Sequence, residues 1–277
     1  MRLIFLILII LGYVLFSFID LRTSNKDLLA DLRIDSTRTA VSAYFTEGIE
    51  MRYADIGNET SPLVVFIHGA PGSLEAFNNF LKDPDLRCRT RMIAVDRAGY
   101  GLSNFGIAET SLQKQVALIA PLLQKNQSNQ KPIVVGHSFG GTIAAKLAMD
   151  YPDMIGGVIL AGAALDPDHE KFFSIARIIE IPLLNKIVPE SMLVANQEKI
   201  THVDELKLML PDWPDINTRV TILHGRKDGL VPIENAYFAE KALVNAEVRM
   251  ALYEDTGHLI PWTRPDLLKK EILSLID

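Results

Sequence analysis

From residue 43 onward the chain alternates two kinds of segment. Short apolar runs rich in β-branched residues, bounded by Gly or Pro, predict strands at 43–46, 50–54, 63–67 (LVVFI), 92–95 (MIAV), 132–136 (PIVVG), 157–161 (GVILA), 220–223 (VTIL) and 247–253. Longer amphipathic stretches predict helices at 74–82, 111–126, 139–150, 233–243 and 264–276. Near-continuous apolar strands separated by helices imply a parallel sheet covered on both faces. The first two strands read as an antiparallel hairpin turned at Glu47-Gly48. Between Asp166 and Asn217 the alternation stops, and helical patches with Pro182, Pro189 and Pro211 predict a helical insertion.

The N-terminus follows another pattern. Residues 3–19, LIFLILIILGYVLFSFI, carry no charge. As a helix, 17 residues would span about 26 Å, close to the thickness of a thin bilayer core. The run passes straight into Asp20-Leu21-Arg22 without an Ala-x-Ala-like site, which favours an uncleaved membrane anchor over a cleaved signal peptide. Arg2 weakly favours a cytoplasmic N-terminus with the following domain on the extracytoplasmic side. Residues 21–40 are polar, with Leu28, Leu29 and Leu32 at helical spacing, and read as a linker carrying a short helix.

Composition narrows the function classes. With 277 residues, 48% apolar and 22% charged, the chain is ordinary globular material able to bury a sizeable core. Its 28 basic and 34 acidic residues sum to −6 and include no basic run, so no nucleic-acid partner is expected. One cysteine, Cys88, excludes an internal disulfide. The six histidines show no zinc spacing, so neither metal nor cofactor is expected.

Chemistry-bearing residues fall at predicted strand ends, where ligands bind in an open parallel sheet. Gly136-His137-Ser138-Phe139-Gly140 joins the PIVV strand to a helix. Such a turn needs small residues on both flanks and exposes the serine hydroxyl at a helix N-terminus. The bland alternative is a glycine-rich turn with a helix-starting serine. His68-Gly69-Ala70-Pro71-Gly72 ends the LVVFI strand. A tetrahedral acyl intermediate needs two N–H donors aimed at one oxygen; Phe139 can supply one and Ala70 the other, since Pro71 has none. His68 reads as a buried, loop-shaping hydrogen-bonding group. Asp228, in GRKDGLVP, and His258, in DTGHLIPW, follow the last two strands. Singly they are a turn former and a surface histidine; together they supply the base and carboxylate that activate a serine. Asp255 is the rival acid, three residues before His258.

HGAPG, DRAGYGLS, GHSFGG, GRKDGLVP and TGHLIPW together resemble the α/β-hydrolase family over residues 43–277. The resemblance implies an α/β-hydrolase fold: a mostly parallel eight-stranded sheet, helices on both faces, and a small helical cap inserted after the sixth strand. It implies Ser138 as nucleophile, His258 as base, Asp228 as orienting acid, the Ala70 and Phe139 amides as oxyanion hole, and motif-shaping roles for His68, Gly69, Pro71, Gly136 and Gly140. The implied domains are an anchor at 1–20, a linker at 21–40, a core at 41–163 and 218–277, and a cap at 164–217 that sets substrate choice.

Epoxide hydrolases and haloalkane dehalogenases of that family carry Asp where Ser138 stands, and no tyrosine falls in the cap. Acyl chemistry remains. Ester hydrolysis of a small-molecule acyl substrate is the expected reaction, with aminopeptidase of the proline iminopeptidase type and carbon–carbon bond hydrolysis as alternatives. Glu180 and Glu190 are cap acids that could meet a substrate amine. A ligand-binding protein of the same fold without turnover is the reading from another class.

Overall fold

The computed structural model describes residues 22–171 and 188–277. The apolar run 3–19 and Glu180 therefore lie outside the described residues. Among the described residues, no helix is long and apolar enough to cross a membrane.

Eight strands form one sheet: β1 (Thr39–Thr46), β2 (Ile49–Ile56), β3 (Leu63–Ile67), β4 (Arg91–Val95), β5 (Ile133–His137), β6 (Gly157–Ala161), β7 (Arg219–Gly225) and β8 (Glu247–Tyr253). Their order is β1-β2-β4-β3-β5-β6-β7-β8. β1 and β2 make an antiparallel hairpin, and β2 also runs antiparallel to β4. The other neighbours are parallel. Glu47 and Gly48 turn the hairpin with φ of 50° and 78°, the left-handed pair that matches strand twist in a two-residue turn.

Alternation along the central strands divides the core in two. On β3, Leu63, Val65 and Ile67 enter one apolar cluster while Val64 and Phe66 enter the other. The first face is covered by α4 (Leu112–Ile119), α5 (Phe139–Asp150) and α7 (Glu234–Ala242). The second is covered by α1 (Asn25–Leu32), α2 (Asn78–Leu81), α3 (Pro84–Arg89) and α9 (Pro265–Ile276). α6 (Glu190–Leu208) and a 3-10 turn at Leu210–Asp215 lie in the insertion that follows β6, and α8 (Ile260–Thr263) precedes α9.

Two helix expectations need correction, while the short helix expected within 21–40 is present and docked against the domain. Ser24 caps α1 through the Asp27 amide, Leu28 and Leu32 are fully buried, and Arg87 donates to the Leu32 carbonyl at 3.2 Å. Two leucines one turn apart give a short helix enough apolar stripe to dock, each contributing about 1.5–3 kcal/mol of burial. The predicted 74–82 helix is a 3-10 turn at Leu74–Phe77 followed by α2, with α3 added beyond Asp83, which caps it ahead of Pro84. The predicted 111–126 helix is α-helical only to Ile119. Pro121 lacks an amide hydrogen, and the chain continues as a 3-10 helix over Ala120–Lys125.

Candidate active site

The sheet order reverses around β3, so connections leave β3 and β5 on opposite sides and open a crevice at their carboxyl ends. Both ends carry residues singled out above. Ser138 follows β5 with φ 55° and ψ −124°, a backbone conformation that costs a non-glycine residue about 1–3 kcal/mol. Its amide donates to the Ala161 carbonyl at 3.0 Å, and its carbonyl accepts from Gly141 at 2.9 Å. The flanking glycines are sterically required. A Cβ on Gly136 would sit 2.3 Å from the Gly140 carbonyl oxygen, and one on Gly140 would sit 2.2 Å from that of Ile67. A Cβ on Gly69 would sit 2.9 Å from the Ser138 Cβ, so the loop after β3 presses directly on the serine.

That loop is held by buried polar groups. His68 Nε2 accepts from the Arg97 amide at 3.0 Å, leaving Nδ1–H to donate to the Gly69 carbonyl at 2.7 Å. Burial, reinforced by the Arg97 charge, pushes the His68 imidazole well below its ordinary pKa. Arg97 Nε and Nη2 donate to the carbonyls of His68 and Gly69 at 2.9 and 3.2 Å. The other side of the guanidinium meets Glu198 of α6 at 2.6 and 3.1 Å. Arg97 and Glu198 side chains are both fully buried. A single ion pair thus ties the loop beside Ser138 to the inserted helix.

His258 and Asp228 meet in the same crevice. His258 Nδ1 lies 2.7 Å from Asp228 Oδ2, and a carboxylate can only accept, so Nδ1 bears the hydrogen and Nε2 is left as the basic nitrogen. Asp228 Oδ1 accepts from the Leu230 and Val231 amides at 2.9 and 2.8 Å. Burial works to raise this carboxyl, but the His258 hydrogen bond and the two amides outweigh it and hold the pKa below the ordinary value. Asp255 is exposed and pairs with Lys227 at 2.6 Å.

A cavity of about 460 Å³ gathers these groups: Gly69, Ala70, Ser138, Phe139 and His258 line its inner wall. Pro71 lines it too, following a cis peptide from Ala70. The insertion supplies the opposite wall with Met192, Ala195, Asn196 and Lys199 among others. Glu170 and His202 also line it; Glu170 pairs with Lys199 and accepts from His202 Nδ1 at 2.9 Å. Burial would raise the Glu170 carboxyl, but His202 and Lys199 keep it lowered and charged. Glu190 is not part of this lining; it stands against Gly106. Among the described residues, no group of three or more His, Cys, Asp or Glu is arranged to hold a metal ion.

Residues 62–179 match the family model for the alpha/beta hydrolase fold. A membrane phospholipase A, described as a bacterial virulence factor, superposes with a TM-score of 0.66 over 100% of this chain and 96% of its own, at 19% identity. This chain has the alpha/beta-hydrolase fold. Its sequence relatives include a proline iminopeptidase of Pestalotiopsis fici, 23% identical over 278 residues, covering 83% of this chain and 97% of that protein. A dihydrolipoyllysine-residue acetyltransferase component of the acetoin cleaving system of Cupriavidus necator is 27% identical over 260 residues, covering 82% of this chain and 67% of that protein.

Within this hydrolase fold, several site residues escaped sequence reasoning. His137 is buried beside the serine, lies 4.8 Å ring to ring from His258, and places Nε2 2.9 Å from the His258 carbonyl. Burial and the neighbouring His258 push its pKa down to about 4, so it is neutral near pH 7 and donates Nε2–H to that carbonyl. Its only sequence signal is its place inside GHSFG. The Arg97–Glu198 pair and the contacts of Glu170 with Lys199 and His202 had none, because the bonded partners are separated by 29 to 101 residues.

Proposed function

We propose that the protein is a serine hydrolase that cleaves a carboxylic ester through an acyl-enzyme. The observation that carries this reading is the convergence, in one cavity, of a serine on a strained strand-to-helix turn and a His258–Asp228 pair at 2.7 Å. In the proposed cycle Ser138 Oγ attacks the ester carbonyl carbon while its proton passes to His258 Nε2. Asp228 stabilises the imidazolium through Nδ1–H. The oxygen left negative accepts hydrogen bonds from the Ala70 and Phe139 amides; Phe139 opens α5, so its amide has no intrahelical partner. Collapse expels the alcohol, which takes the proton from Nε2. Water, deprotonated by the same nitrogen, then releases the carboxylic acid and restores Ser138.

Ester chemistry is preferred to aminopeptidase chemistry on one point. Among the described residues, the carboxylate that lines the cavity from the insertion, Glu170, is already matched by Lys199 and His202, whereas recognition of a substrate amine needs an acid held open for it. The insertion, roughly 164–217, would then select the acyl group by the shape of the outer wall. Residues 3–19 would hold the enzyme to a membrane, with the catalytic domain on the extracytoplasmic side.

The test is labelling with a fluorophosphonate probe together with a panel of acyl esters and aminoacyl amides. Wild type should label and cleave esters. Ser138→Ala should stay folded, resist labelling, and lose at least about three orders of magnitude in turnover. Labelling of Ser138→Ala, or amides cleaved with esters untouched, would overturn the reading.

A further inference from the structure

Four large apolar side chains stand around the mouth of the catalytic cavity and face water. Met192, Leu230, Leu259 and Trp262 line the cavity and are 39%, 50%, 50% and 45% exposed. They come from three separate places: α6, the turn after Asp228, and the segment from His258 into α8. Isolated exposed apolar residues are ordinary on a protein surface, but four on one rim form a patch of the kind that marks an interaction site. Two of them sit beside the proposed triad, Leu259 next to His258 and Leu230 two residues after Asp228. The loops that hold the base and the acid therefore present their apolar tips outward.

The start of the described chain indicates what covers this rim. Arg22 stacks its guanidinium 4.1 Å from the centre of the Phe105 ring, and the Thr23 carbonyl accepts from Arg52 at 2.7 Å. Gly106, next to Phe105, packs against Glu190 at the start of α6, the helix that carries Met192 to the rim. The uncharged run 3–19 ends three residues before Arg22, a reach of only about 10 Å. A bilayer holding that run, as the membrane-anchor reading has it, would lie within that reach of Arg22 and so near Phe105 and the start of α6. The chain's net charge of −6 points to apolar seating on the bilayer, without help from attraction to anionic lipid headgroups.

We propose that the rim is an interfacial docking surface, and that the enzyme draws a lipid ester with a long acyl chain directly from the bilayer to which it is tethered. This rests on the serine-esterase reading, and its test separates the two. Trp262 is a built-in reporter, because the only other tryptophan, Trp213, is 2% exposed. The full chain is reconstituted in phosphatidylcholine vesicles whose acyl chains carry bromine, a fluorescence quencher. Emission from a Trp213→Phe variant should be quenched by the brominated lipid, in high salt as in low salt. In parallel, turnover of a long-chain ester embedded in the vesicle is compared with turnover of a short water-soluble ester. Leu230→Ser/Leu259→Ser should lower the embedded-to-soluble ratio by about tenfold or more, the partition effect of withdrawing several CH₂ groups from the bilayer.

Quenching of Trp262 by aqueous acrylamide alone would overturn the proposal, since the rim would then face water. Quenching by neither agent would overturn it too, assigning the cover to protein, such as a second copy of the chain. An unchanged turnover ratio would likewise refute it. If neither ester is cleaved while lipid quenching persists, the esterase reading fails and the docking surface stands.

Discussion

Removing Glu198 should unsettle more than the cap itself, because its carboxylate sits where the insertion meets the loop beside Ser138. It accepts from Arg97 Nη1 and Nη2 at 2.6 and 3.1 Å, from the Tyr100 hydroxyl at 2.6 Å and from Gln115 Nε2 at 2.9 Å. Glu198→Ala leaves those donors without that acceptor and leaves the guanidinium charged. Burial disfavours the Arg97 cation, and it is chiefly the Glu198 charge that keeps its pKa raised. Both side chains are fully buried, so solvent screening does not soften the loss. Breaking such a pair by deleting one partner costs about 3–5 kcal/mol, a large share of a domain's usual 5–15 kcal/mol or so. At roughly 2–4 °C per kcal/mol for a large domain, the Tm followed by circular dichroism should fall by about 6–20 °C. Glu198→Gln, which keeps one acceptor oxygen, should fall less. A cycle with Arg97→Met should show coupling of about 2–3 kcal/mol. Activity on a small ester should drop beyond what unfolding explains, since Arg97 also holds the His68 and Gly69 carbonyls. A Tm loss under 2 °C or so in Glu198→Ala would show that the pair is not the joint described here.

Three further substitutions probe the proposed triad and its surroundings. Asp228→Asn should cost about 10⁴ in kcat, because an amide nitrogen can hold the imidazole in the wrong tautomer, while Asp255→Asn should be near neutral given its exposed pairing with Lys227; steady-state kinetics showing the reverse would move the acid. His137 titrates at about 4 when folded, against an ordinary 6.5. The unfolded chain therefore binds a proton that the folded chain refuses as pH falls from 6.5 towards 4, and stability should drop by about 3 kcal/mol across that window. His137→Gln, which preserves a donor for the His258 carbonyl, should flatten that part of the stability curve in denaturant titrations at several pH values; an unaltered slope would refute the assignment.

Legibility in the sequence followed the range of the interactions. The strands Leu63–Ile67 and Gly157–Ala161 stood out because a strand buried on both faces must be apolar throughout, and glycine, proline or a turn marks where it stops. The α5 boundaries were visible for a similar reason: the helix is buried along nearly its whole length after the glycine-flanked turn. Asp228 and His258 are 30 residues apart, yet chain order and strand-end position singled them out before any distance was known. Arg97 and Glu198 are 101 residues apart, and neither neighbourhood signals the other. A buried ion pair leaves no periodicity, only two charged letters among 62. Docking of α1 was hidden too, since three leucines spread among four polar residues in an eight-residue helix do not say which of them is covered, and only Leu28 and Leu32 are buried.

The placement of the three proposed catalytic side chains just after β5, β7 and β8 also bears on how the protein is made. Ser138 leaves the ribosome 120 residues ahead of His258, an interval of roughly 6–24 s at ordinary rates of synthesis. Throughout that time the chain carries the proposed nucleophile without its base. His258 arrives just after the last strand, and that strand can pair only with β7. On the proposed mechanism, hydrolytic competence would therefore coincide with completion of the sheet. If Ser138 and His258 act as proposed, a nascent chain stalled anywhere before β8 would carry Ser138 as an unreactive alcohol.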